Sequence, residues 1–173
     1  KAYPSRYYVI HTDLGIDVAA EASARMTAMA EEYYLRTKDF GGVIRSRLPF
    51  YLYSRSEDYL AAGGVPGSAG QFSGGQQGVL MALAGSQPSL SLWHIVQHEG
   101  FHQFAHMVIG GQLPVWVNEG LAEYFGLGIW TGDGFVTGTI PQGRLEAVRE
   151  YIKEDKITPL ANFLVMSSDE WLG

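Results

Sequence analysis

The stretch that decides the fold begins Ser91-Leu-Trp-His94-Ile-Val-Gln-His98-Glu99-Gly100-Phe101-His102-Gln-Phe-Ala105-His106-Met-Val108. It breaks at Gly110-Gly111 and resumes as Val115-Trp116-Val-Asn118-Glu119-Gly-Leu-Ala-Glu123-Tyr-Phe125. Apolar residues stand on nearly every side of the first segment, the pattern of a buried helix. Gly110-Gly111 is a helix stop, and Pro114 opens a second helix over about 115–125, where a missing N–H costs nothing. The spacing within the first segment is the informative part. His98 and His102 are four residues apart, roughly 40° of rotation and 6 Å of rise, so on a helix both rings reach one point. Glu99 is turned by about 100° from His98, which sets its carboxylate beside that point.

The surrounding charge pattern sharpens this reading. Between Asp58 and Arg144 lie 85 residues with four formal charges, Glu99, Glu119, Glu123 and Asp133, and none of them is positive. Three of these carboxylates fall on helices that read as buried, and a buried carboxylate needs a partner. No base is near in sequence, although Arg55 or Arg144 can fold back; the other candidates are histidines and a metal ion. If the two helices form an antiparallel pair turning at Gly110-Gly111, residues whose numbers sum to 221 lie level. Glu119 then faces His102 and Glu123 faces His98. Two histidines and a glutamate on neighbouring helices, with a fourth position open, are the ligand set of a catalytic zinc site.

At this point the chain resembles a family. His98-Glu-Gly-Phe-His102, followed by Trp116-Val-Asn-Glu119-Gly-Leu-Ala-Glu123-Tyr, is similar to the active site of gluzincin metallopeptidases. These are the thermolysin-like and aminopeptidase-like zinc enzymes and short bacterial relatives with the same HExxH…NEGxAE pattern. The close match covers about residues 94–126. The resemblance implies a zinc ion (Zn2+) on His98, His102 and Glu119, with Glu99 as general base. It implies Glu123 as the carboxylate that orients the first histidine and Asn118 as neighbouring polar support. It also implies an edge strand near Phe72 and Val79–Leu83 that binds substrate main chain, and hence a peptide or protein substrate. The spacer is slightly shorter than in the aminopeptidases, and no exopeptidase signature precedes the zinc motif. A metzincin would need Gly at 105 and His at 108, where this chain has Ala105 and Val108. His94 and His106 continue the four-residue ladder but drift off the metal-facing line and read as packing or hydrogen-bonded residues. For the group that stabilises an anionic oxygen, Tyr151, Arg144 or a residue outside the chain are the candidates.

The rest of the chain supplies the frame. Arg6–His11 and Pro49–Tyr53 read as strands, Ile16–Arg36 as an amphipathic helix and Glu57–Ala62 as a helical turn. Gly63–Gly78, with seven glycines and one proline, reads as turns and a hairpin around Gln71-Phe72-Ser73, or functionally as a flap over a cleft. Gln77–Leu83 is a third strand or the return arm of that hairpin. After a Gly/Thr-rich segment with Asp133 as a turn residue come a charged amphipathic helix near Arg144–Lys153 and a last helix over Pro159–Trp171. Strands first and helices later indicate an α+β class. The expected architecture is one zincin-like domain over 1–173. A small mixed sheet packs on the HExxH helix within about 1–110, and a mostly helical part follows over about 111–173.

Composition bounds the function. The chain has 173 residues, 46% of them hydrophobic, and no cysteine, so disulfides and thiolate metal sites are excluded. A net charge of −6 argues against nucleic acid or an anionic membrane as partner. The longest apolar run, Val79–Ala84, is far too short for a membrane span. Starting at Lys1 without initiator Met or signal peptide, the chain reads as a mature protein or an excised piece; zero cysteine and few lysines are compatible with a secreted or cell-envelope enzyme. Two alternatives to a peptidase stay open: a catalytically inactive zinc-stabilised binding or scaffold module, and a metal hydrolase of non-peptide substrates.

Overall fold

Strand-forming aliphatic and aromatic residues alternate in the first half and build a mixed sheet. The computed structural model describes residues 1–85, 89–110 and 113–172. Strands β1 (Ala2–Pro4), β2 (Tyr8–Thr12), β3 (Leu48–Tyr53), β4 (Gly70–Ser73) and β5 (Val79–Leu83) lie in the order β1-β2-β3-β5-β4. β2, β3 and β5 run parallel, while β1 and β4 close the two edges antiparallel. Period-two patterning sends Tyr8, Ile10, Leu48, Phe50, Leu52, Leu80 and Ala82 into the core. Against that face packs helix α1 (Ile16–Thr37) through Ala22, Met26 and Ala30, together with helix α3 (Ser89–Phe104) through Leu92, Trp93 and Val96. Between β3 and β4 sits the short helix α2 (Ser56–Ala61). The Gly63–Gly78 segment contains the expected hairpin, and β5 is both its return arm and an inner strand of the sheet.

A second core joins the sheet half to the helical half. Met29 and Tyr33 from α1, Phe101 and Phe104 from α3, and Ala122 and Phe125 from α4 (Val115–Gly126) meet there, all buried. Arg25, ion-paired with Glu21, lies over the rings of Trp93 and Trp130, tying α1 to α3 and to a small hairpin, β6 (Ile129–Trp130) and β7 (Phe135–Val136). Asp133 is in the turn of that hairpin, where it accepts from the Thr131 hydroxyl.

Two expectations need correction. The first helix is not α-helical to Val108: it changes at Ala105 to a π-helical turn, Ala105–Ile109, closed by the Gly110 N–H on the Ala105 carbonyl. The wider turn serves packing, because from it His106 reaches the Gly75 carbonyl and the Met107 sulfur packs tightly over Gly78. Gly110 ends it at φ +68°, while Gly111 lies outside the described residues. The last helix is two short ones, α6 (Leu160–Leu164) and α7 (Ser168–Leu172), because Ser167 hydroxyl and N–H pair with Glu170 and restart the turn. Between them and the hairpin runs α5 (Gln142–Lys153); its apolar stripe, Leu145, Val148 and Ile152, stays exposed. Among the described residues no helix is long and apolar enough to cross a membrane.

Candidate metal centre

α3 and α4 hold the candidate residues because they approach closely and are locked at one end. Gly126 makes the approach possible: a Cβ there would lie 3.2 Å from the His94 carbonyl oxygen and 3.3 Å from His98 Cβ. The lock is Gln97, a polar side chain only 1% exposed. Its amide nitrogen donates to the carbonyls of Phe125, Gly126 and Gly128 at 2.9, 3.1 and 3.0 Å, satisfying acceptors that the C-terminus of α4 leaves open. The Tyr33 hydroxyl donates to the Gln97 carbonyl and holds α3 on α1. On the opposite flank of the motif Gln103, also buried, donates to the carbonyls of Pro49 and Gly78, fixing α3 to the sheet. Neither glutamine is singled out by the sequence reading. The available signal was two amide side chains, one on each flank of His98–His102, in a helix otherwise apolar on all sides.

In this frame the facing pairs lie at the levels expected from the antiparallel register. Nε2 of His102 is 3.5 Å from Glu119 Oε1, and Nδ1 of His98 is 3.3 Å from Glu123 Oε1. The ring nitrogens Nε2 of His98 and His102 stand 3.2 Å apart, and His98 Nε2 is 3.6 Å from Glu119 Oε2. Donors at 2.0–2.2 Å from a tetrahedral cation are separated by about 3.3–3.6 Å, so these spacings suit one small divalent ion. The residues therefore fit such a group. His98, His102 and Glu119 place ligand atoms within 4.8 Å of one another, and so do His94, His98 and Glu123.

Electrostatics favour the unprotonated ligand. Burial, with further depression from His102, His94 and Arg144, pushes the His98 pKa down to about 4 against the pull of Glu123. A neutral imidazole offers a lone pair at neutral pH, which a metal ligand requires. Burial pushes the Glu99 carboxyl up from its ordinary range, opposed by the Phe72 N–H and by His102. Glu99 Oε2 accepts that N–H at 2.8 Å, so its position is set by β4, the edge strand of the sheet. The outer nitrogens of the two histidines differ. His98 Nδ1 faces Glu123, whereas His102 Nδ1 is buried with no hydrogen-bond partner among the described residues.

A cleft of about 390 Å³ opens beside the centre between β4, the π-turn and α4. Phe72, Ala105 and Leu113 give it apolar walls, and His102, His106, Asn118, Glu119 and Ser168 its polar ones. Asn118 thus borders the cleft next to Glu119. His106 hydrogen-bonds to Gly75 and lies against Phe72, with ring centroids 5.4 Å apart. Arg144 and Tyr151 are not among the lining residues. Tyr151 is exposed on α5, and Arg144 Nη1 instead pairs with Glu123 Oε2 at 2.6 Å. Arg144 is the base that folds back; Arg55 pairs locally with Asp58.

No known family profile, curated protein or solved structure matches this chain.

Proposed function

We propose that this chain is a zinc-dependent metallopeptidase of gluzincin type with a zincin-like fold, acting on peptide or protein substrates. The observation that carries the reading is the convergence of His98, His102 and Glu119 at the spacing of tetrahedral ligands, with the Glu99 carboxylate held next to them by the Phe72 N–H and a cleft lined by Phe72, His102 and Glu119 alongside. His98, His102 and Glu119 would hold the ion, whose chemistry when bound is Lewis-acid polarisation of a carbonyl and acidification of a water.

The remaining work falls to the chain. Glu99, held by the Phe72 N–H and with its carboxyl raised above the ordinary range by burial, takes the proton of the attacking water and returns it to the departing amine. Glu123, with Oε1 3.3 Å from Nδ1 of His98, is placed to accept its N–H and so to fix which nitrogen faces Glu119. β4 offers an extended main chain beside Glu99 on which a substrate strand can align.

The test is Glu99→Gln together with a digest of a denatured-protein or peptide library, with and without chelator. The parent is expected to cleave in a chelator-sensitive way, and the variant to keep its zinc and lose cleavage. A parent that binds zinc and cuts nothing is an inert binding module or acts on another ester or amide. A Gln variant that cleaves like the parent removes Glu99 from the mechanism.

A further inference from the structure

Two possible cation sites overlap on one imidazole. The first is His98, His102 and Glu119; the second is His94, His98 and Glu123, in which Glu123 Oε1 lies 3.7 Å from His94 Nε2 and 3.3 Å from His98 Nδ1. The first draws on Nε2 of His98 and the second on Nδ1. A neutral imidazole has a single lone pair, with the proton on the other nitrogen, so the two sites exclude each other. Something in the chain has to choose between them.

The guanidinium of Arg144 stands in the right place to do so. It holds Glu123 Oε2 at 2.6 Å, while the other oxygen faces the two histidines. This has two consequences. A second positive charge next to that carboxylate repels a dication from the His94 side. A carboxylate oriented there by the guanidinium puts Oε1 3.3 Å from His98 Nδ1, placed to accept its N–H and leave the Nε2 lone pair toward His102 and Glu119. Arg144 arrives from α5, none of whose residues is buried, and reaches the centre through this ion pair, in which its own side chain is half exposed. It is also the first base after the 85-residue stretch that has none.

We propose that Arg144 is a positioning residue that, through Glu123, commits His98 to the His98–His102–Glu119 site and keeps the overlapping His94–His98–Glu123 site closed. The inference rests on the reading that the ion belongs to the first site, and it adds the selection between the two.

The test is a zinc titration of the metal-free full chain by calorimetry, with Glu119→Ala made in the parent and in an Arg144→Gln background. Arg144→Gln alone is expected to weaken zinc about tenfold, the low end for losing an outer partner. In the parent, Glu119→Ala should cost more than a hundredfold. In the Arg144→Gln background it should cost less than tenfold, because the ion moves to His94 and Glu123, and adding His94→Phe should then abolish binding. Arg144→Lys keeps the charge and should restore the parent's dependence on Glu119. Nitrogen NMR of the imidazole rings supplies a readout independent of affinity: His98 should carry its proton on Nδ1 in the parent and on both nitrogens in exchange in Arg144→Gln. An equal loss from Glu119→Ala in both backgrounds, with an unchanged His98 tautomer, overturns the selection while leaving the first site intact. A parent whose zinc binding ignores Glu119 overturns the metal assignment as well.

Discussion

Replacing Gln97 by leucine tests whether one buried amide sets the geometry on which the centre depends. The side chain is 1% exposed and spends its NH2 group on the carbonyls of Phe125, Gly126 and Gly128. Leucine has no donor and is one atom shorter, so a small cavity adds to a loss that is mainly polar. Phe125 keeps a second partner in the Gly128 N–H, which leaves two carbonyls to bear most of the cost. At about 1–3 kcal/mol for each buried acceptor left unpaired, partly relieved by relaxation, the expected destabilisation is about 2–4 kcal/mol. With a urea slope of roughly 2 kcal/mol/M, the midpoint should fall by about 1–2 M at unchanged slope. Gln97→Glu should be worse, since it aims a carboxylate at three carbonyl oxygens. Zinc affinity should drop with stability, because Glu119 and Glu123 ride on the helix that Gln97 anchors. The measurement is urea unfolding of the metal-free protein followed by circular dichroism. A leucine variant within about 0.5 kcal/mol of the parent would refute the lock, and with it this account of how α4 is placed.

Other outcomes follow from the same geometry. Zinc at a hundred times its dissociation constant should stabilise the fold by about 2.7 kcal/mol, a rise of roughly 5–11 °C in Tm for a chain of this size. Differential scanning fluorimetry with and without chelator reads this, and Glu119→Ala should erase the shift. Gly100→Val should cost about 3 kcal/mol in the same urea assay, because even a bare Cβ would lie 2.9 Å from both Met26 Cε and the Tyr33 hydroxyl oxygen. The His98 pKa, depressed to about 4 from an ordinary 6.5, means the unfolded metal-free chain binds the extra proton between those values. Its contribution to stability is therefore present above about pH 6.5 and lost as pH falls toward 4. Glu99, raised by burial, has the opposite sign, its contribution being lost as pH rises above the usual carboxylate range. Urea midpoints at pH 7 and 5 for the parent, His98→Asn and Glu99→Gln separate the two; a His98→Asn difference that does not change with pH would contradict the first.

How much could be read before any coordinates depended on whether the signal was local. α1 and the strands β2, β3 and β5 follow from periodicity, because their apolar faces all pack on one core. The level pairing of His98 with Glu123 and His102 with Glu119 follows from helix geometry and one turn. What escaped is non-local. β1 and the β6–β7 hairpin are too short to carry an alternating pattern, and β1 ends in Pro4. The π-turn depends on contacts from His106 and Met107 to glycines some 30 residues earlier, which nothing within the helix encodes. Gln97 and Gln103 read as ordinary polar positions until their carbonyl partners, 25 to 54 residues away, are known. Arg144 was legible only as a base able to fold back, and its partner turned out to be Glu123.

That last pairing bears on how a stretch of chain without Lys or Arg tolerates its acids. Glu99, Glu119 and Glu123 sit on neighbouring helix turns; solvent reaches Glu119 and Glu123 in part, but like charges this close still repel one another. The structure gives each a different relief. Glu123 takes the guanidinium of Arg144, Glu99 takes a backbone N–H and a raised affinity for protons, and Glu119 faces two imidazoles, of which burial keeps His98 uncharged. An uncharged His98 neutralises no carboxylate, and among its described contacts Glu119 has neither the arginine of Glu123 nor the backbone N–H of Glu99, so it is the acid with most charge left for something else to balance. A divalent cation at its position does that and uses the same lone pairs. Glu119→Gln removes the charge with little change in shape, so it separates the two needs: metal-free, the variant should match or exceed the parent's stability, and in zinc it should lose the gain. If the metal-free variant were instead less stable by more than about 1 kcal/mol, Glu119 would be compensated within the protein, and the electrostatic case for a cation would fail.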